Sequence, residues 1–190
     1  MTVYPGQQFD ELAKQLVFPS GYQNPIAKSH YHLVVVGAGP AGLIASISAA
    51  GLGARVALIE SRFMGGDCLN VGCVPSKALL ESTKSETCSF DEAFEWLREI
   101  RSTISEHDSV ERYKQAGVDV FLGTANFNEH GELTVEDQVL RARRVALCVG
   151  SGPSIPPIEG LESCNVLTNE TVFDLCVQPK SLAILGAGPI

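Results

Sequence analysis

Four consecutive apolar residues, Leu33-Val34-Val35-Val36, run without polar alternation into a glycine-rich segment. An unbroken β-branched run of this length predicts a strand buried on both faces, as in parallel sheets. The small residues 43–50 that follow predict a helix ending at Gly51 or Gly53. Residues 55–59 predict a second strand that ends in Glu60, which completes a βαβ unit. A cysteine-bearing loop comes next, then a helix over 74–84. Phe90, Phe94, Leu97, Ile100, Ile104, Val110 and Tyr113 recur every three to four positions and predict one face of a single long helix. Residues 118–122 read as another strand. Residues 124–148 read as short antiparallel strands, with turns at 128–131 and near Asp137. The irregular first 31 residues hold at most one short helical turn, over 9–18. At the other end, Leu182-Ala183-Ile184-Leu185 followed by Gly186-Ala187-Gly188-Pro189 repeats the opening strand-and-glycine pattern, so a further strand is expected there.

The chain has 190 residues, of which 45% are hydrophobic, enough for a sizeable core. A net charge of −8 excludes a basic nucleic-acid surface, and the Arg141, Arg143 and Arg144 cluster reads as solvated. No apolar run approaches the ~20 residues of a membrane-spanning helix. The first thirty residues lack an apolar signal core and contain Pro5, Pro19 and Pro25, against a secretory signal. Six cysteines are too few for a disulfide scaffold, so a reducing cytoplasm is the expected setting. Cys88, Cys148, Cys164 and Cys176 are expected as ordinary, mostly buried thiols. His30, His32, His107 and His130 are expected to be structural or solvated, with His107 on the polar side of the long helix.

The glycines of Gly37-Ala38-Gly39-Pro40-Ala41-Gly42 have a mechanical reading. Gly37 permits a tight turn, Gly39 lets backbone approach a pyrophosphate, and Gly42 lets helix and strand pack closely. N–H groups at the helix start then face the phosphates. Glu60, at the end of the next strand, can accept hydrogen bonds from both ribose hydroxyls, and its charge disfavours a 2′-phosphate. Cys68 and Cys73, separated by four residues, lie where a glycine-rich loop passes into a helix. A ring this small gains little entropy from closure, which favours redox exchange over stapling. A helix start lowers a thiol pKa and so favours the reactive thiolate. The alternative, a structural zinc site, needs a second ligand pair, and none is spaced to supply it.

The segment GGDCLNVGCVPSK, residues 65–77, resembles the active-site signature of the class I pyridine nucleotide–disulfide oxidoreductases. That family includes dihydrolipoamide dehydrogenase, glutathione reductase and mercuric reductase. The resemblance spans residues 32–190. Gln23-Asn24-Pro25 and Asp67 are most similar to the mercuric-reductase-like branch, and Ser76-Lys77-Ala78-Leu79-Leu80 resembles dihydrolipoamide dehydrogenases. The resemblance implies a Rossmann-like α/β FAD-binding domain with a small antiparallel β-meander over residues 32–160, after an extension over 1–31. Residues 161–190 would be a linker and the first strand of a second, NAD(P)-binding Rossmann domain. It implies that Cys68 is the interchange thiol, that Cys73 faces the flavin, and that Lys77 stabilises the reduced flavin. Gly37, Gly39, Pro40, Ala41, Gly42, Glu60 and Ser61 would hold the dinucleotide, while Gly66, Asp67 and Ser76 would line its phosphates and flavin. Ala125 would touch adenine by its backbone, and Val149, Gly150 and Ser151 would close over the cofactor. Cys148-Val149 stands where relatives carry Ala-Thr. Electrons would pass from NAD(P)H through FAD to the cysteine pair, then to a small disulfide or Hg(II). The acid–base histidine would come from a C-terminal domain of a partner subunit in a homodimer. The alternative of another class is that this chain alone is a folded, non-catalytic module with little or no FAD.

Overall fold

A computed structural model describes residues 8–188. Within them the chain runs α1 (Gln8–Val17), β1 (Leu33–Val36), α2 (Pro40–Gly51), β2 (Val56–Glu60), α3 (Gly66–Asn70), α4 (Cys73–Ser82), α5 (Phe90–Ser105) and α6 (Val110–Gln115). It continues through β3 (Val118–Leu122), β4 (Ala125–Phe127), β5 (Leu133–Val135), β6 (Gln138–Val139), β7 (Val145–Leu147) and α7 (Asn169–Val172). Four strands form one parallel sheet in the order β3-β2-β1-β7, and β4-β5-β6 form a small antiparallel sheet.

The unbroken apolar strands are explained by what covers each face. Val35, Val56, Leu58, Val118 and Val120 point into a core with α1, α2, α3 and α6, through Val17, Leu43, Leu69 and Tyr113. Val34, Ala57, Ile59 and Phe121 point the other way, into a second core with Leu133, Val135 and Leu140 of the antiparallel sheet. Every residue of β2 is buried, so Val56 to Ile59 are all apolar, and the one polar residue, Glu60 at the carboxyl end, is tied by backbone N–H donors. Full burial of each such Val, Leu or Ile contributes ~1.5–3 kcal/mol relative to exposure.

The structure departs from the sequence expectations at several places. The single long helix is two. α5 starts at a Ser89/Glu92 capping box and ends at Ser105, and the chain turns before Ser109 caps α6 by accepting the Arg112 N–H. Ser109 is extended (φ −69°, ψ 149°), which turns Val110 and Tyr113 into the core. His107 therefore lies in the turn between helices, where its carbonyl accepts from the Arg112 guanidinium. β7 is not the last strand of the antiparallel set. It pairs in parallel with β1, Val34 opposite Val145, and leaves Leu147 65% exposed on the sheet edge.

Residues 182–185 form no strand: they have no ladder partner among the described residues, and Ile184 is 79% exposed. Pro189 and Ile190, the end of the expected repeat, lie outside the described residues, as does Pro5 of the extension. The cysteines outside the pair are not buried as expected: Cys88 and Cys148 are half-buried, while Cys164 and Cys176 are exposed. Each sits in a loop or at an element end rather than on an inward-facing strand or helix position.

Candidate active site

A cleft of about 810 Å³ opens at the carboxyl ends of β1, β2 and β7. This is where a parallel sheet leaves room for a ligand, because the connections diverge past the strand ends. Gly37, Gly39, Pro40 and Ala41 form one wall, Glu60 and Ser61 the next, Gly66 and Asp67 a third, and Ala125 with Val149, Gly150 and Ser151 the last.

The three glycines of the first loop meet different demands. Gly37 has φ 100°, and a Cβ there would sit 2.2 Å from the Cys148 carbonyl oxygen. A Cβ on Gly42 would lie 1.8 Å from the Gly37 oxygen, so α2 can approach the loop only without a side chain. Gly42 is buried behind the loop, outside the cleft lining. Gly39 is unlike both. Its φ of −73° suits any residue, and a Cβ would meet nothing nearer than the Gly66 Cα at 3.8 Å. Nothing inside the protein demands a glycine at 39, and the space its side chain would fill faces the cleft. The N–H groups of Ala41 and Gly42, in the first turn of α2, have no intrahelical acceptor by the geometry of a helix start. These features fit a pyrophosphate.

Glu60 is 9% exposed, and its carboxylate ties two loops together. Oε2 accepts the Ala38 N–H at 2.6 Å, and Oε1 accepts the Arg62 N–H at 2.8 Å. A carboxylate has about four acceptor positions, so two remain for the hydroxyls of a ribose. Across the mouth of the cleft, Arg62 Nη1 donates to Glu170 Oε1 at 2.8 Å.

The stretch expected as a cysteine loop is the short helix α3, linked to α4 by Val71 and Gly72. The Val71 N–H donates to the Asp67 carbonyl at 2.9 Å, and a Cβ on Gly72 would lie 2.8 Å from that same oxygen. This tight link brings Cys68, half-buried, close enough to the exposed Cys73 for the two thiols to interact. Burial, then the hydrogen bond and charge of Cys73, push the Cys68 thiol up to about 11, against a downward pull from Lys77. The expectation of a lowered pKa is thus overturned at Cys68. α3 has only five residues, and its dipole is outweighed by desolvation. Cys68, Cys73, Ser76 and Lys77 lie beyond the end of the cleft, whose lining reaches their neighbours Asp67, Asn70 and Val71. Lys77 is exposed one turn after Cys73, and Ser76 Oγ donates to the Cys73 carbonyl at 3.2 Å. Among the described residues, no third His, Cys, Asp or Glu joins the pair as a potential metal ligand.

Three residues at this site gave no signal in the sequence. Asn70, between the cysteines and 3% exposed, donates its amide to the Met64 and Gly66 carbonyls at 3.1 and 2.8 Å. Its own carbonyl accepts from Arg101 Nη1 at 3.0 Å, and Arg101 is held by Asp10.

Residues 31–190 match the family model described as pyridine nucleotide-disulphide oxidoreductase. A dihydrolipoyl dehydrogenase of Acholeplasma laidlawii is 32% identical over 84% of this chain and 54% of its own length. A mercuric reductase of Lysinibacillus sphaericus is 33% identical over 87% of this chain and 33% of its own length. A glutathione reductase of Burkholderia cepacia is 33% identical over 86% of this chain and 39% of its own length. The chain thus spans between a third and about half of these relatives. Among solved structures, the HOCl-induced flavoprotein disulfide reductase RclA of Escherichia coli aligns with a TM-score of 0.66 and 26% identity. That alignment covers 76% of this chain and 34% of RclA. A Cu(II) complex of a mutant of the same protein aligns at 0.70 and 25% identity, over 78% of this chain and 35% of that one.

Proposed function

The chain belongs to the pyridine nucleotide-disulphide oxidoreductase family, and from that membership we propose that it is the FAD-binding part of a flavin-dependent disulfide reductase. Residues 32–160 are its FAD-binding domain, 1–31 an extension, and 161–190 a linker and the beginning of an NAD(P)-binding domain. The single observation that carries this reading is the interacting Cys68–Cys73 thiol pair at the end of a cleft suited to a dinucleotide.

FAD, when bound, supplies two-electron transfer from NAD(P)H to sulfur. The chain's own residues do the rest. The N–H groups of Ala41 and Gly42 and the open face of Gly39 receive the pyrophosphate, and Glu60 receives the ribose. Two electrons and two protons open a Cys68–Cys73 disulfide to the dithiol. Cys68, as thiolate, attacks one sulfur of a substrate disulfide and releases the first substrate thiol. Cys73 then attacks Cys68 Sγ, re-forms the ring disulfide and releases the second. With a thiol near 11, this sequence depends on a positive neighbour, and Lys77 already acts in that direction. The same dithiol can take Hg(II) as substrate, as in the mercuric-reductase-like reading. Identities of 32–33% to enzymes of three specificities leave that choice to assay. The protein acts in the cytoplasm as a homodimer, with neither nucleic acid nor membrane as partner.

The test is on the full-length protein with bound FAD. NAD(P)H should make Cys68 and Cys73 alkylatable in stoichiometric amount, and a panel of lipoamide, glutathione disulfide and Hg(II) should identify the substrate. A flavin-loaded protein whose two cysteines never change alkylation state would sink the proposal.

A further inference from the structure

Beneath the thiol pair lies a cluster of four charged side chains that the proposed chemistry does not use. Asp10 on α1 is 1% exposed, Arg98 and Arg101 on α5 are 3% and 0% exposed, and Asp174, just after α7, is 14% exposed. Arg101 Nη2 donates to Asp10 Oδ1 at 2.7 Å, while Arg98 Nε lies 3.3 Å from Asp10 Oδ2. Burying charges carries a desolvation penalty that their attraction offsets only partly, so such a cluster is weak evidence for a stabilising role. Its placement suggests another one. The second arm of Arg101 holds the Asn70 carbonyl, two residues after Cys68 and three before Cys73. The amide of Asn70 in turn holds Met64 and Gly66, and the Met64 N–H donates to the Val17 carbonyl at the end of α1. α1 therefore grips the redox segment twice, before α3 by backbone and between the cysteines through Asp10 and Arg101.

We propose that Asp10 and Arg101 are positioning residues for the Cys68–Cys73 pair: they hold the backbone between the two sulfurs and so set the equilibrium between disulfide and dithiol. The inference rests on the reading of this pair as redox-active. Two thiols close a disulfide readily only while the chain between them presents the sulfurs to each other, which is a matter of effective concentration. Freeing the Asn70 carbonyl lets residues 69–72 fluctuate, lowers that concentration and favours the dithiol. The ammonium of Lys at 101 keeps the charge opposite Asp10 but lacks the planar fork that serves two acceptors at once.

The test equilibrates the 190-residue chain with mixtures of reduced and oxidised dithiothreitol and reads Cys68 and Cys73 by alkylation and mass spectrometry. Reduced dithiothreitol gives up two electrons and two protons, breaks the S–S bond and leaves as its own cyclic disulfide. Arg101→Lys should shift the equilibrium about tenfold toward the dithiol, which is about 30 mV for a two-electron couple. Asp10→Asn should shift it the same way, and Asp10→Glu should restore most of it. Leu133→Ala, in the distant antiparallel sheet, should lower the melting temperature and leave the equilibrium unmoved. If the Arg101 and Asp10 variants do not fold, the unmodified chain still decides. Coupling is reciprocal, so backbone amides of α1 should exchange hydrogen more slowly in the disulfide form than in the dithiol form. Variant equilibria within twofold of the unmodified chain, or α1 exchange indifferent to redox state, overturn the inference alone. Failure of the unmodified chain to form a Cys68–Cys73 disulfide overturns the redox reading and the inference with it.

Discussion

Substituting Gly39 and Gly42 separately tests whether the glycine loop is shaped by the fold or by a ligand. In Gly39→Ala the new methyl meets only the Gly66 Cα, at an ordinary 3.8 Å, and the backbone φ of −73° needs no change. Alanine is a poorer helix N-cap than glycine by up to ~1 kcal/mol, but it also removes unfolded-chain entropy worth ~0.4–1 kcal/mol. The net change in stability is within about 1 kcal/mol, or a melting shift of less than about 4 °C for a chain of this size. In Gly42→Ala the methyl would lie 1.8 Å from the Gly37 backbone oxygen, about 1.4 Å inside normal contact, with Val35 Cγ1 at 3.2 Å besides. Overpacking against groups that cannot rotate away belongs at the upper end of its usual range, about 3 kcal/mol. The melting temperature should then fall by about 6–12 °C. Binding should show the reverse order of specificity. The Gly39 methyl occupies the place of a phosphate and removes one or two charge-assisted backbone hydrogen bonds, about 2–3 kcal/mol. That is roughly a hundredfold in Kd for FAD. Calorimetric melting of the cofactor-free chain and titration of FAD fluorescence measure the two quantities. A Gly39→Ala chain that melts as low as Gly42→Ala, or that binds FAD like the unmodified chain, would falsify the assignment of Gly39 to the pyrophosphate.

Three further outcomes are expected. Burial raises Asp174 from 3.8 to about 7, so the folded chain holds a proton there that the unfolded chain loses. Its stabilising contribution is complete below about pH 4 and is lost as pH rises toward 7. Asp174→Asn should therefore gain melting temperature relative to the unmodified chain between pH 4.5 and 7.5, and parallel curves would contradict the raised pKa. Cys68, at about 11 in the cofactor-free dithiol, is ~10⁻⁴ thiolate at pH 7. Its alkylation by iodoacetamide should climb about tenfold per pH unit through pH 8–10, and a plateau below pH 9 would show the burial argument wrong. Ser109→Ala removes the cap that starts α6 and should lower stability by ~1 kcal/mol, measured by urea unfolding. No change would mean that Val110 and Tyr113 hold the turn unaided.

What could be read from the sequence was what nearest neighbours along the chain decide. The Val34–Gly42 succession announced strand, turn and helix because each residue type constrains its own backbone, and β3 was placed residue for residue. The break after Ser105 was hidden because the apolar spacing of α5 and α6 continues across it. The local signal for the break is Ser109, a hydroxyl just before a helical run. β7 misled for a different reason. Its parallel pairing with β1 joins positions more than a hundred residues apart, Val34 with Val145, and nothing local distinguishes it from the short antiparallel strands before it. The wiring below the cysteines is of the same kind. Arg101 meets Asn70 and Asp10 at separations of 31 and 91 residues, so no spacing rule links them. α3 was overlooked because Gly65 and Gly66, both at positive φ, look like loop residues while they bend the chain into a helix start.

Glu60 has a consequence for what its own replacement would cost the fold. In many dinucleotide sites the acid at the second strand end can be exchanged for a small or basic residue to admit a phosphorylated ribose. Here its two oxygens are also the acceptors for Ala38 and Arg62, in the loops that follow β1 and β2. An exchange that removed the carboxylate would strand two N–H groups and loosen both loops before any new ligand arrived. Any replacement at this position therefore carries a cost in the loops themselves, separate from its effect on a ligand.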